Sequence, residues 1–207
     1  MLHLRPALVL VVLFTLLTGI ALPFAFTGGA TALLPERANG SLIVRDGRVV
    51  GSALLGQNFT VDRYFHGRPS ATTDTDPNDP AKTVPIPYDA ASSGGSNLGP
   101  TSKALLDRVK GEVSALGAGG VPAPVPGDMV TTSASGLDPD IAPANAARQV
   151  ARVAAARGLP EDQVRALVAG HTMGRLLGIL GETRVNVLAL NLALDAVQER
   201  ARVVGVR

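Results

Sequence analysis

Hydrophobic positions in this chain form one long block followed by several short amphipathic runs. From Pro6 to Leu34 no residue carries a charge. Pro6 to Phe26 alone supplies the roughly 20 apolar residues that a helix needs to cross ~30 Å of hydrocarbon at 1.5 Å per residue. The block predicts a single membrane anchor. A cleaved signal peptide is the rival reading, and Ala30-Thr31-Ala32 has the small residues of a cleavage site. The apolar run, however, exceeds the roughly 7–15 residues of a signal core. Thr15 and Gly19 stand four apart on one helical face, a small-xxx-small arrangement that lets another helix approach. Arg5 precedes the block, which favours a cytoplasmic amino terminus and an extracytoplasmic remainder.

Beyond the anchor the periodicity changes repeatedly. Residues 41–56 predict a β-hairpin, two β-rich runs around Asp46-Gly47, the favoured pair for a type I′ turn. Tyr64-Phe65-His66-Gly67-Arg68-Pro69-Ser70 then holds two of the seven aromatics in the chain. It reads either as a rigid recognition loop or as a core aromatic pair closed by a turn. Residues 72–100 lack strand or helix periodicity and predict a solvated acidic loop with Asp74, Asp76 and Asp79. Leu105, Leu106, Val109, Val113 and Leu116 predict a helix with one apolar face, stopped by Gly117, Gly119 and Gly120. A proline-rich connector follows at 121–126. A second helix is expected from Pro143 to Arg157, with Ala147, Val150, Ala151 and Ala154 inward and Gly158 as its C-cap. Pro160, Glu161 and Asp162 open a third helix. Residues 185–190 predict a buried strand, and Asn191 the N-cap of a final helix reaching Arg202. The expected fold is α+β: a transmembrane anchor at 1–35, then a single mixed α/β extracytoplasmic domain at 36–207.

Composition narrows the chemistry. Cysteine is absent, which excludes disulfides, cysteine-based zinc sites and thiol catalysis. With aromatics at 3% and no tryptophan, the core must come from aliphatic residues. Net charge is −3 over residues 36–143 and +4 over 144–207, too weak a bias to argue for nucleic acid. The helix–Gly-turn–helix at 143–168, with Arg148, Arg152, Arg157 and Arg165, has the outline of a helix-turn-helix regulator, but an extracytoplasmic domain would never meet DNA. Ser133 and Ser135 suggest a membrane-tethered serine enzyme, yet no Gly-x-Ser-x-Gly elbow is present. Asp74 and Asp76 lack the glycine and closing glutamate of an EF-hand. His171 has no second ligand four residues away and reads as a capping or core histidine. The Ser92–Pro100 stretch is glycine-rich without Gly-Lys-Ser/Thr, so a P-loop is not supported. No metal site and no catalytic residue is expected.

One resemblance runs the length of the chain. The residues that carry it are Leu4-Arg5-Pro6-Ala7-Leu8, Tyr64-Phe65-His66-Gly67-Arg68-Pro69-Ser70-Ala71 and Ser93-Gly94-Gly95-Ser96-Asn97-Leu98-Gly99-Pro100. They continue with Thr131-Thr132-Ser133, Ser135-Gly136-Leu137-Asp138-Pro139, Gln149-Val150-Ala151-Arg152, Ala156-Arg157-Gly158-Leu159-Pro160 and Arg184-Val185-Asn186-Val187-Leu188. Leu190-Asn191-Leu192-Ala193-Leu194-Asp195 closes the set. In this order the set resembles the C subunit (KdpC) of the ATP-driven bacterial potassium pump. The resemblance implies a non-catalytic subunit of a membrane complex for high-affinity potassium uptake. Its implied partners are a channel-like potassium-translocating subunit, a P-type ATPase subunit and a small single-helix subunit. Implied roles are stabilising assembly and acting as a catalytic chaperone that raises the ATP affinity of the ATPase subunit. ATP and Mg would reside on that partner, with no cofactor on this chain. Partner contacts are expected at Thr15, Gly19, Tyr64, Phe65, His66, Arg68, Ser93, Gly94, Gly95, Ser96 and Asn97, and cation steering at Asp74, Asp76 and Asp79.

Overall fold

The structure, a computed structural model, describes residues 3–205. It divides into two units, Met1–Ser52 and Ala53–Arg207.

The first unit begins with an uninterrupted helical rod, Leu4–Leu33, of 30 residues. Two α segments, α1 (Leu4–Leu16) and α2 (Leu22–Leu33), join through a π-helical turn at Leu17–Ala21. Pro23 explains the wide turn, because proline has no N–H for the carbonyl four residues back, at Gly19. The ladder shifts instead, and Leu22 donates to Leu17 O. No residue of the rod is buried. It is long and apolar enough to cross a membrane, and at about 45 Å it exceeds a hydrocarbon core. A single turn, α3 (Pro35–Ala38), leads to the antiparallel hairpin of β1 (Leu42–Arg45) and β2 (Arg48–Ser52). Asp46 and Gly47 both have positive φ, 52° and 73°, as a type I′ turn demands. The second strand ends at Ser52, four residues short of the predicted limit. There the Ser52 hydroxyl donates to Gly40 O at 2.6 Å.

In the second unit, the stretch expected to be an aperiodic acidic loop contains a hairpin, β3 (Thr73–Asp76) with β4 (Asp79–Pro85). β3 is polar at every position and β4 intersperses Pro80, Ala81, Val84 and Pro85 with Asp79, Lys82 and Thr83, so no apolar alternation announced them. The next helix, α4 (Lys103–Ala118), forms as predicted behind an N-cap from Ser102. It buries none of its apolar residues, and Leu106 and Val113 are exposed.

The core lies further along. A short three-stranded antiparallel sheet, order β5-β7-β6, joins β5 (Asp140–Ile141), β6 (Thr172–Met173) and β7 (Arg184–Asn186). Helices α5 (Pro143–Arg157), α6 (Glu161–Gly170) and α7 (Val187–Gly205) accompany it. Ile141, Val150, Val153, Val164, Val185, Leu190 and Leu194 pack into one cluster around Phe65. Gly158 ends α5 in the left-handed conformation, with Leu159 N donating to Ala154 O at 3.0 Å, a Schellman-type stop.

Two sequence expectations need correction here. The inner face of α5 is not the alanine-lined one, since Ala147 and Ala151 are exposed. Asn145, Ala146, Gln149, Val150, Val153, Ala154 and Arg157 face inward, so buried polar groups rotate the stripe away from an apolar-only reading. The final helix starts at Val187, five residues earlier than a cap at Asn191 implies, so the strand expected over 185–190 shortens to Arg184–Asn186. Asn186 Oδ1, not Asn191, accepts from Ala189 N at 3.0 Å and caps its first turn.

Candidate functional site

Two polar stripes bracket the loop at residues 63–66. Asn145, Gln149 and Arg152 on α5, and Asn191, Asp195 and Gln198 on α7, each recur at i, i+4 and i+7. That spacing places each set on one helical face. Asn191 accepts from Phe65 N at 2.8 Å and donates to Phe65 O at 3.0 Å. Gln149 does the same for His66, at 2.8 and 3.0 Å. Each amide meets both polar groups of one backbone residue, as a neighbouring strand would. The Phe65 ring is thereby held fully buried in the core, a burial worth roughly 1.5–3 kcal/mol.

Arg157 closes the loop from the other side. Its side chain is fully buried and donates through Nε to Arg63 O at 2.6 Å, through Nη2 to Asp195 at 2.9 Å and through Nη1 to Gln198 at 3.1 Å. Its guanidinium lies 4.9 Å from the Tyr64 ring centroid, and Tyr64 donates to Asp195 at 3.2 Å. All three nitrogens being used, burial of this charge is compensated. The loop Tyr64-Phe65-His66 is therefore structurally clamped, with Phe65 entirely internal.

Arg68 continues the construction. It donates to Asp138 at 3.0 Å and to Thr132 O at 3.3 Å, while Tyr88 donates to Arg68 O at 2.7 Å. Burial, with the Asp138 carboxylate adding to it, pushes the Tyr88 phenol up to about 12, which keeps it a neutral donor. Ser70 donates to Gly136 O at 2.8 Å, and Thr72 to Ile86 O at 2.6 Å at the base of the β3–β4 hairpin. The segment Ser93–Asn97 lies against the same strip, with Gly94 N donating to Ser135 O at 2.8 Å and Thr132 bonded to Ser96 at 3.2 Å. Gly95 permits this approach, because a Cβ there would sit 2.8 Å from Ala134 O. So Arg68, from one segment expected to contact partners, and Ser93, Gly94 and Ser96, from the other, meet at residues 132–138, while Tyr64, Phe65 and His66 turn to α5 and α7.

Between the loop, α4 and α5 lies a cleft of about 370 Å³ lined by His66, Arg68, Tyr88, Glu112, Gln149 and Arg152, among others. Burial holds the His66 pKa below its usual value, helped by Arg152 and opposed by Val61 O and Asp62. Burial likewise lowers Arg152. The cleft is polar and cationic on one wall. Among the described residues no three His, Asp or Glu side chains gather as a metal would require.

The remaining candidates fall elsewhere. Asp74, Asp76 and Asp79 sit on the β3–β4 hairpin, where Asp76 accepts from Asn78 N at 2.8 Å and Asp79 from Ala81 N at 3.1 Å. Asp79 also pairs with Lys82 at 2.9 Å, which holds its carboxyl below the usual value. Thr15 and Gly19 lie in the first unit, Gly19 within the π turn and with open space around its missing Cβ. Ser133 is buried, and the two histidines beyond the amino terminus bond elsewhere, His66 Nε2 to Val61 O and Arg152 and His171 Nδ1 to Leu167 O. His171 is thus the capping residue the sequence suggested. The arginines of the α5–α6 pair each bond neighbours within the fold.

Sequence reasoning missed Gln149, Asn191, Arg157 and Asp195 as architects of this loop. The two i, i+4, i+7 polar stripes were the available signal.

Comparison with known proteins decides the family. The model of the family described as "K+-transporting ATPase, c chain" matches residues 4–196. The chain belongs to the KdpC family. A potassium-transporting ATPase KdpC subunit of Methylorubrum populi is 64% identical over 96% of this chain and 98% of its own length. Those of Methylobacterium nodulans and Rhodopseudomonas palustris are 65% and 63% identical over 93% and 94% of the chain. The KdpC match spans the apolar rod and the clamped loop alike, ending just beyond Asp195.

Proposed function

We propose that this chain is the C subunit of an ATP-driven, high-affinity potassium uptake pump, a non-catalytic part that stabilises assembly. The observation that carries the reading is end-to-end similarity to proteins named as KdpC subunits of a potassium-transporting ATPase. Its partners are then a channel-like translocating subunit, a P-type ATPase subunit and a small single-helix subunit. The Leu4–Leu33 rod is a single-pass anchor in the cell membrane with a cytoplasmic amino terminus, and residues 36–207 form the extracytoplasmic domain.

In this reading the domain covers the outer mouth of the translocating subunit. Its rigid Tyr64–Arg68 and Ser93–Asn97 segments serve as the docking framework. Rigidity favours this role, because a pre-ordered surface loses less entropy on association. Any gain in ATP affinity is exerted through the ATPase subunit, where ATP and Mg reside. Support for an indirect route comes from Ser93–Asn97, whose groups are engaged with residues 132–135. With Asp79 neutralised by Lys82, cation steering falls to Asp74 and Asp76. Replacing both by Asn should weaken potassium affinity at low ionic strength only. Unchanged affinity there would remove steering from the reading.

Pull-down of the tagged chain from membranes in mild detergent tests the main proposal. The expected result is co-purification of the ATPase and translocating subunits, and a higher KM for ATP when this chain is deleted. Recovery of the chain alone would overturn it.

A further inference from the structure

Residues 174–183 join β6 to β7 as a tight hairpin, and its tip is aliphatic. Leu176, Leu177, Ile179 and Leu180 are 66%, 82%, 76% and 60% exposed. Four large exposed aliphatics on one turn are more than the scattered surface leucines of an ordinary domain. The polar parts of the turn are turned inward on themselves. Leu176 N donates to Leu180 O at 2.8 Å and Leu180 N to Leu176 O at 3.0 Å. Gly178 N donates to Arg175 O at 3.1 Å and Ile179 N to Leu176 O at 3.2 Å. At the base, Arg175 pairs with Glu182 at 2.8 Å and Arg184 with Asp140 at 2.9 Å, so the stem carries balanced charge.

We propose that this hairpin tip dips into the outer face of the lipid bilayer. The proposal rests on the reading above that Leu4–Leu33 spans the membrane. The chemistry selects lipid over a protein groove on two counts. Backbone groups entering a hydrocarbon boundary must be satisfied internally, and four of the five amides from Leu176 to Leu180 donate within the turn. Protein docking sites draw their energy from aromatic and arginine anchors, and the tip has neither. A bilayer-spanning helix on the same chain also keeps lipid at high effective concentration, so even weak insertion is populated.

The chain has no tryptophan, so a single introduced indole reports depth without background. Ile179→Trp, Leu106→Trp on α4 and Ile20→Trp in the rod are placed separately in the full chain. Each is reconstituted in vesicles of brominated phosphatidylcholine with phosphatidylglycerol. The expected result is blue-shifted, bromine-quenched emission from Ile179→Trp and Ile20→Trp, with water-like, unquenched emission from Leu106→Trp. Quenching at Ile20→Trp but not at Ile179→Trp would overturn the insertion while leaving the anchor intact. Loss of quenching at both would overturn the anchor and the insertion together. Equal quenching at Leu106→Trp would mean unspecific adsorption and defeat the proposal. So would an Ile179→Trp signal that shifts only when the partner subunits are present and stays unquenched by bromolipid.

Discussion

Asn191 separates two physical accounts of the last helix, and substitution there can decide between them. In one account it is an exposed N-cap; in the structure it is 1% exposed and holds both polar groups of Phe65. Removing an N-cap side chain costs about 1 kcal/mol, and Asp serves there as well as Asn. Removing a clamp leaves a buried N–H and a buried C=O unsatisfied, at roughly 1–3 kcal/mol each. Asn191→Ala should therefore destabilise the second unit by about 2–6 kcal/mol. With a urea m-value of about 2 kcal/mol/M, the midpoint falls by about 1–3 M. The assay is urea unfolding of the full chain in mild detergent, followed by far-ultraviolet circular dichroism. Asn191→Asp supplies a second readout. A carboxylate accepts from Phe65 N but has no proton for Phe65 O, and its charge is buried. That variant should be unstable at neutral pH and recover on acidification, because burial raises the folded-state pKa and stability is lost as pH rises through it. A loss below 1 kcal/mol for Asn191→Ala, together with a neutral Asn191→Asp, would refute the clamp.

Other expectations follow from the same geometry. Because burial lowers the His66 pKa, its stabilising contribution is complete above about 6.5 and is lost as pH falls toward the depressed folded value. His66→Gln should flatten that part of the stability–pH curve, measured by urea midpoints across mildly acidic pH. Gly95→Ala forces a Cβ to 2.8 Å from the Ala134 carbonyl and should cost about 1–3 kcal/mol, read as a lowered urea midpoint without change of slope. Gly19→Leu meets open space in the isolated chain, so it should leave membrane insertion intact while reducing co-purification of partner subunits. Full co-purification would return the Thr15/Gly19 face to ordinary membrane-helix composition.

The parts of the fold legible from sequence were those with a strong local cause. An uncharged 29-residue block, an Asp-Gly turn and a Gly158 stop each act through a few residues, and each appears where expected. The β3–β4 hairpin was illegible because Thr73-Asp74-Thr75-Asp76 alternates polar with polar, and apolar alternation is the signal that reveals a half-buried strand.

The clamp was misread for a deeper reason. Searching helices for apolar stripes treats a buried amide as an interruption, so α5 was turned toward its alanines and Asn191 was assigned to a helix end. In this fold the amides are the inward face, because a loop without strand partners must still satisfy its backbone where it enters the core. Phe65 could be buried only if something supplied the hydrogen bonds a neighbouring strand would give. Two amides one α-helical step ahead of an arginine or aspartate do that, Gln149 before Arg152 and Asn191 before Asp195. Polar residues at i, i+4 and i+7 on helices that also carry aliphatics are thus a signal of a clasped irregular segment. In this chain the segment so clasped is the one that the proposed docking framework requires to be rigid.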